Sequence, residues 1–505
     1  MGTLWQIWDA EERRNPVMTK LSQNTLSDIA SIPVPAYDRA AVRPGIVHVG
    51  VGGFNRAHQC SYIHDLLSKE GGSDWGIIGC GILPSDARMR DIMERQNCLY
   101  TLVTRDADGD DAVVIGSMLS YLHGPSDPEA VIEVLASPDT RIVSLTITEG
   151  GYNIDDATGE FKFDNPDVQH DLTNKERPRS AFGYLTAGLR RRKDLGIQPF
   201  TILSCDNLQS NGNVARRTLL AFAGRQDPSL AEWISANVTF PNSMVDRITP
   251  QTTDEHRALL SDEFGIEDEW PVVCEPFRQW VIEDKFVDGR PPLELAGAQF
   301  VPDVHPYEMM KIRLLNASHS AMGYLGYLAG YRYINEVIDD PLFRRYIQGM
   351  MDEEVTPLLQ PVPGIDLVEY KSTLIQRFSN PRIRDQVLRI CLDGSSKMPK
   401  FILPSITEQI ARGGDYSRLA LCVASWIRFL SGRDEQGNEI PIQDPIAEKL
   451  HTAAVSGQAD PRPVLSIRQV FGDLADNEVF VKVIEEQLQM LYSDGAVKIL
   501  KEVAQ

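Results

Sequence analysis

"IVHVGVGGFNRAHQCSYIHDLL", residues 46–67, decides how this chain is read. An apolar run stops at Gly50, Gly52 and Gly53, and helical spacing then takes over through Tyr62, Ile63, Leu66 and Leu67. The pattern predicts a strand, a glycine turn and a helix. Glycines at such a turn permit a tight bend and let backbone N–H groups approach a pyrophosphate at the helix N-terminus. Gly50, Val51, Gly52, Gly53, Phe54, Asn55 and Arg56 are therefore the candidate cofactor-binding segment, with Arg56 adding charge toward phosphate. Asn55 stands where the GxGxxG pattern has its third glycine, so a purely structural turn competes with this reading. The flanking strand and helix favour the dinucleotide.

Outward from the turn, "WGIIGCGIL" (75–83) is a second buried strand, ending at "PSDARMR" (84–90). A carboxylate there holds the ribose 2′-OH of NAD, and Asp86 is the candidate. Its competing role is a helix N-cap, and nearby Arg88 could accept the 2′-phosphate of NADP. NAD is favoured. "IVSLTIT" (142–148) and "FTILSC" (200–205) are further strands, and "SAFGYLTAGLRRRKD" (180–194) is a helix capped by Ser180. Strands alternating with helices imply a mostly parallel sheet covered on both faces. "NCLYTLVTRDADGDDAVVIGSMLSYL" (97–122) reads instead as a hairpin closed at "DADGDD" and inserted on that sheet.

After about residue 300 helical spacing dominates, over 307–333, 339–354, 383–392, 415–431 and 476–503. The expected architecture is α/β plus all-α. A Rossmann-type domain with an N-terminal arm spans 1–300, and a mainly α-helical substrate and catalytic domain spans 301–505.

The 505 residues carry a net charge of −21, which disfavours nucleic acid as a partner. Seven scattered cysteines without CxxC point to free thiols in a reducing compartment. The nine histidines show no HExxH, so no metal is expected. The N-terminal segment lacks the apolar core of a secretory signal, and polar residues interrupt the one long uncharged run, 314–331, so no membrane span is expected. A cytoplasmic protein with no obligate protein partner follows.

That uncharged run overlaps "MKIRLLNASHSAMGYLGYLAG" (310–330), an apolar helix interrupted by Lys311, Asn316 and His319. At 100° per residue, Asn316 lies about 140° and His319 about 80° from Lys311, so all three share one side. A lysine desolvated in a cleft has a lowered pKa and can take a proton. Oxidising an alcohol needs such a base, and donors for the oxygen. Asn316 can donate, as can Asn207 in "SCDNLQSNG" (204–212), which follows a strand at the carboxyl edge of the sheet. His319 would orient a substrate hydroxyl. The competing reading is a snorkelling lysine and a core histidine.

"VHVGVGGFNRAH", "SCDNLQSNG", "VDRITP", "EPFRQWVIED" and "KIRLLNASHS" together resemble the polyol-specific long-chain dehydrogenases, from about residue 45 to near 500. Lys311, Asn316 and His319 meet that family's K-x4-N-x2-H pattern in full. The resemblance implies NAD(H) bound in the N-terminal domain, no metal, and a lysine general base flanked by Asn207 and Asn316. It also implies that Asp246 contacts the polyol, that Glu308 lines a proton path, and that Arg389 and Lys397 stand at the substrate pocket. From the residues alone, those last two would be surface charge. Asn55 departs from the histidine common in the family. The reaction implied is reversible oxidation of D-mannitol to D-fructose by NAD. Arabinitol oxidation and fructuronate or tagaturonate reduction are alternatives within the family. Outside it, a noncatalytic nucleotide-binding regulator has no use for the lysine, and a 6-phosphogluconate-type decarboxylase would need phosphate-binding residues that have no place here.

Overall fold

The glycine turn sits at the centre of a parallel sheet. The computed structural model describes residues 18–69, 72–155 and 159–503. The expected N-terminal arm lies outside the described residues as far as residue 17. In chain order the strands used below are β1 (Pro44–Val49), β2 (Gly76–Gly81), β3 (Tyr100–Arg105), β4 (Asp110–Ile115), β5 (Met118–His123), β6 (Ile142–Leu145), β7 (Thr201–Ser204), β8 (Ser243–Asp246), β9 (Val272–Cys274), β10 (Gln279–Glu283) and β11 (Gln299–Val301). The helices used are α1 (Gly53–Ala57), α2 (Gln59–Leu67), α3 (Ala87–Arg95), α4 (Pro128–Ala136), α5 (Ala181–Leu195), α6 (Asn211–Gln226), α7 (His305–Met310), α8 (Ala317–Leu328), α9 (Leu367–Phe378), α10 (Ser417–Phe429) and α11 (Glu478–Ser493).

The main sheet has the order β5-β2-β1-β6-β7, and all its pairs are parallel. The first strand is central and the order reverses between β1 and β6, which is the Rossmann arrangement with its switch point at β1. Side chains alternate across it. Ile46, Ile77, Ile142 and Leu203 face the core under α2 and α3, while Val47, Val49, Ile78, Val143 and Leu145 face the core under α4, α5 and α6. Ser180 caps α5 as expected, accepting from Gly183 N at 3.1 Å.

The hairpin corrects one expectation. β3 and β4 pair antiparallel with Arg105 opposite Asp110, but they form a separate sheet with β9. The segment "SMLSYL", read as part of the insertion, becomes β5, the edge strand of the main sheet.

A third sheet, β11-β10-β8, joins the two halves. Val245, Trp280 and Ile282 pack into the α/β core, whereas Met244 and Val281 pack into the core of the helical half. Period-2 alternation thus gives one short sheet two hydrophobic partners. From His305 onward every named element among the described residues is helical. α8 is buried nearly all round and packs in one core with α10 and α11. No helix among the described residues is long and apolar enough to cross a membrane.

Gly50 is the backbone constraint at the switch point. It has φ +91°, and a Cβ there would meet the Thr146 carbonyl oxygen at 2.2 Å. Gly52 has φ −112° and nothing within 4 Å of an added Cβ. Replacing Gly50 with Ala should therefore cost about 1–3 kcal/mol for the left-handed backbone alone, before the clash. The Gly52→Ala change should stay near parental stability. Chemical denaturation of the two variants checks the contrast, and equal losses would contradict it.

Candidate active site

The long helix that carries the predicted lysine is not uniformly α-helical. α7 passes into a π-helical turn, Lys311–Asn316, which passes into α8. A π turn closes i→i+5, about one residue wider than an α turn. Lys311 and Asn316 are five apart, so the turn brings them to one face more closely than the α-helical wheel places them. Wide turns of this kind recur at functional sites.

Lys311 is buried, with 7% of its surface exposed. Its Nζ donates to Asn207 Oδ1 at 2.7 Å, across from the carboxyl edge of β7. Burial lowers the lysine pKa, and nearby Asp246 opposes that shift. With Oδ1 engaged, Asn207 retains its amide N–H groups for an oxygen. Asn316 Nδ2 and His319 Nε2 are buried without a hydrogen-bond partner. Orphaned polar atoms are rare in folded interiors because each costs about 1–3 kcal/mol. Ser318 Oγ on the same helix is unpartnered too, and the open atoms of Asn316 and His319 mark surface prepared for a polar ligand. Burial holds His319 down to about 4, so its ring is neutral at physiological pH. It lines a small pocket together with Arg377, Phe378, Asn380 and Asp385.

Asp246 ends β8, and two-residue alternation points it the same way as Met244, toward the helical half. Both its oxygens accept from Arg377 on α9, at 2.8 and 3.0 Å. Burial pushes the carboxyl up, but the guanidinium more than offsets this and holds it below the usual carboxylate range. Arg377 also donates twice to Glu275, at 2.9 and 2.7 Å.

Glu308, one turn before Lys311, is buried and accepts from Ser210 N at 3.0 Å. Burial, with Glu283 and Asp303 adding to it, raises its pKa to about 7. Such a carboxyl can take and release protons near neutrality. Arg389 is held by Asp385 through two bonds of 2.7 and 2.6 Å, and Lys397 Nζ donates to the Ile390 carbonyl at 2.9 Å. Asp385 lines the same pocket as His319, which sets its partner Arg389 beside that pocket.

At the glycine turn, Gly50 lies against the Thr146 carbonyl and Gly52 is exposed, so the backbone is open to a ligand there. The buried His48 supports it. Thr146 Oγ1 donates to Gly50 O at 2.6 Å, and His48 bridges Thr146 and Ser144 at 2.8 Å each. Because Thr146 donates onward, His48 donates from Nε2 and accepts at Nδ1, a single neutral tautomer. Val51 and Phe54 remain half-buried beside the turn, and Phe54 stacks on His58 at 4.9 Å.

Two residues of the candidate cofactor-binding segment turn their side chains away from this opening. Asn55 is fully buried, with Nδ2 donating to Gln59 at 3.4 Å. Arg56 is also fully buried; it donates to the Trp270 carbonyl and lies over the Tyr100 ring. Helical rotation carries both side chains inward, away from the N-terminal N–H groups. Asp86 does stand at the carboxyl end of β2. It does not cap α3 with its side chain; Oδ2 instead accepts from Leu83 N at 2.9 Å. Arg88 lies over the Trp270 ring at 4.3 Å.

A family model described as "Mannitol dehydrogenase Rossmann domain" matches residues 44–295, and one described as "Mannitol dehydrogenase C-terminal domain" matches 303–492. The chain belongs to the mannitol dehydrogenase family. A mannitol 2-dehydrogenase of Phaeosphaeria nodorum is 52% identical over 96% of this chain and 86% of its own. A solved Pseudomonas fluorescens mannitol 2-dehydrogenase, in ternary complex with NAD and D-mannitol, superposes with a TM-score of 0.90. It is 48% identical and covers 96% of this chain and 99% of its own. A substrate-free D-sorbitol dehydrogenase gives a TM-score of 0.86 at 38% identity, over 96% and 99%.

Within this mannitol dehydrogenase family fold, sequence reading missed Arg377, which holds Asp246, Glu275, which holds Arg377 in turn, and Asp385, which holds Arg389. A signal for α9 was present: Asp366 as N-cap, then Leu367, Tyr370, Leu374 and Phe378 at helical spacing. Nothing in that pattern distinguishes Arg377 from a solvated arginine.

Because Asn316 Nδ2 is unpartnered, Asn316→Ala should keep the parental melting temperature within a few degrees, or raise it. Its turnover should fall by about 10²-fold or more. Thermal unfolding and steady-state rates on one preparation test this pairing; a severe stability loss would mean the amide is structural.

Proposed function

We propose that this chain catalyses the reversible, NAD-dependent oxidation of D-mannitol at C2 to D-fructose, with Lys311 as general base. The observation that carries this reading is the buried Lys311 amine, 2.7 Å from Asn207 Oδ1, flanked by the unpartnered Asn316 Nδ2 and His319 Nε2. The family and the NAD–mannitol complex of the Pseudomonas relative support the substrate and cofactor.

The cofactor fits the residues present. The Gly50–Phe54 backbone is open at Gly52, and Asp86 has one oxygen not held by Leu83 that can accept from a ribose hydroxyl. That carboxylate favours NAD over NADP, since a 2′-phosphate would meet negative charge, and Arg88 is engaged with Trp270. Bound NAD supplies the acceptor for the hydride leaving C2.

Lys311, as the neutral amine, takes the hydroxyl proton. The amides of Asn207 and Asn316 donate to the oxygen as negative charge builds on it. His319 orients a neighbouring hydroxyl, and Asp246, Arg389 and Lys397 hold the rest of the polyol. Glu308, with its pKa near 7, passes the lysine's proton toward solvent. In the reverse direction the same groups return it. Arg377 and Arg389 are both paired with carboxylates, which suits a neutral polyol better than a uronate. We divide the chain at about residue 300, so the lysine belongs to the helical domain and Asn207 to the Rossmann domain. The seven buried, unpaired cysteines suit a cytoplasmic setting.

Two outcomes test the base. Oxidation needs the neutral amine, so its rate should rise with pH through the lowered Lys311 pKa and then level, while ketose reduction falls over the same range. Lys311→Ala should lose about 10²–10⁴-fold in turnover with NADH binding retained. Turnover preserved at neutral and alkaline pH would remove the lysine's role. A panel of mannitol, sorbitol, arabinitol and uronates with NAD and NADP tests the substrate and cofactor, and a strong preference for a uronate or for NADP would overturn that part.

A further inference from the structure

Arg377 is the most heavily engaged charge at this site, and no step of the proposed reaction requires a guanidinium there. It is buried, lies over the Phe277 ring at 4.0 Å, and makes four hydrogen bonds of 2.7–3.0 Å to Asp246 and Glu275. Its two partners come from the joining sheet and from the segment after β9, while Arg377 itself comes from the helical half. Glu275 is tied in turn to the Asp246 strand through Ile248 N. A packed apolar residue usually stabilises as well as a buried ion pair does, so stability alone is a weak reason for this triad.

What the triad does is fix where one negative charge can go. Lys311 is faced by Asp246 from β8, by Arg377 from α9, by Glu308 from its own helix and by Glu149 from the turn after β6. Among these, Asp246 is the strongest influence that favours the ammonium form. Asp246 in turn is faced by Arg377, Lys311 and His319, and Tyr370 lies near it with an unpartnered hydroxyl. A carboxylate between a guanidinium and an ammonium pairs with whichever is aligned. Here both its oxygens are taken in bidentate geometry by the guanidinium, which is fixed from behind by Glu275.

We propose that Arg377 is a positioning residue for the oxidation step: it holds Asp246 aligned at the substrate side and withdraws that carboxylate from Lys311, so that the lysine is free to act as a base. This rests on Lys311 being the base. Without Arg377, Asp246 would pair with Lys311, favour the ammonium, and move base catalysis to higher pH. Without the Glu275 charge, Arg377 would carry more uncompensated positive charge beside Lys311, and base catalysis would move to lower pH. The two changes touch one cluster and shift the profile in opposite directions. A merely structural role moves neither.

The test is the pH profile of kcat/KM for D-mannitol oxidation in Arg377→Met, Arg377→Lys and Glu275→Gln, with NADH binding measured by fluorescence to confirm an intact cofactor site. Arg377→Met should shift the rising limb up by about one pH unit, Arg377→Lys by less, and Glu275→Gln should shift it down. If Arg377→Met does not fold, the other two variants decide by the sign of their shifts. Profiles that stay in place, or that move the same way, overturn the inference. Lys311→Ala is measured alongside. If it keeps parental turnover, the base assignment has failed; if it collapses while the other profiles stay fixed, only the role of Arg377 has failed.

Discussion

The hydrogen bond from Lys311 Nζ to Asn207 Oδ1 joins the two halves of the chain at the point where chemistry is proposed. One partner stands on a widened turn of a helix buried in the all-α core, the other at the carboxyl edge of the parallel sheet. The lysine keeps only 7% of its surface exposed to water. Its charged form loses solvation that a single amide oxygen does not replace, so proton release becomes easier. The halves must be held in register for this to work, and the β11-β10-β8 sheet does that by burying Met244 and Val281 in one core and Val245, Trp280 and Ile282 in the other.

Charge is confined around that lysine rather than scattered. Arg377 binds Asp246 and Glu275, Asp385 binds Arg389, and Glu308 is held by a backbone N–H with its pKa near 7. Each ionic partner is thereby fixed in direction. Groups left open here include Asn316 Nδ2, His319 Nε2 and the Tyr370 hydroxyl, all neutral hydrogen-bonding atoms. This is an environment for hydroxyls, and it fits the family to which the chain belongs.

Much of the fold was legible because it rests on local periodicity. The glycine turn, the four strands read for the main sheet and the Ser180 cap each follow from a few adjacent residues. The assignment of "SMLSYL" failed because a strand at the end of a hairpin carries no mark of which sheet it will join. Lys311, Asn207, Asn316 and His319 were legible as polar interruptions in apolar or edge positions. Arg56, read as charge toward phosphate, and Asn55, read as part of the cofactor-binding segment, have fully buried side chains, because position in a motif does not say which way a helix turns its side chains. Arg377 was invisible, since its importance arises from pairing with residues 131 and 102 positions away. The π turn was hidden too: backbone i→i+5 bonding has no residue signature, although the α-helical wheel already put Lys311, Asn316 and His319 on one side.

The account stands on the protonation behaviour of one amine, and that can be observed without turnover. With lysine labelled at Nζ, heteronuclear NMR of the intact protein can follow Lys311, assigned by the spectrum of Lys311→Arg, through a pH titration. The account predicts that this one signal titrates below the ordinary lysine range while surface lysines keep theirs. A Lys311 signal that titrates together with the surface lysines would contradict it.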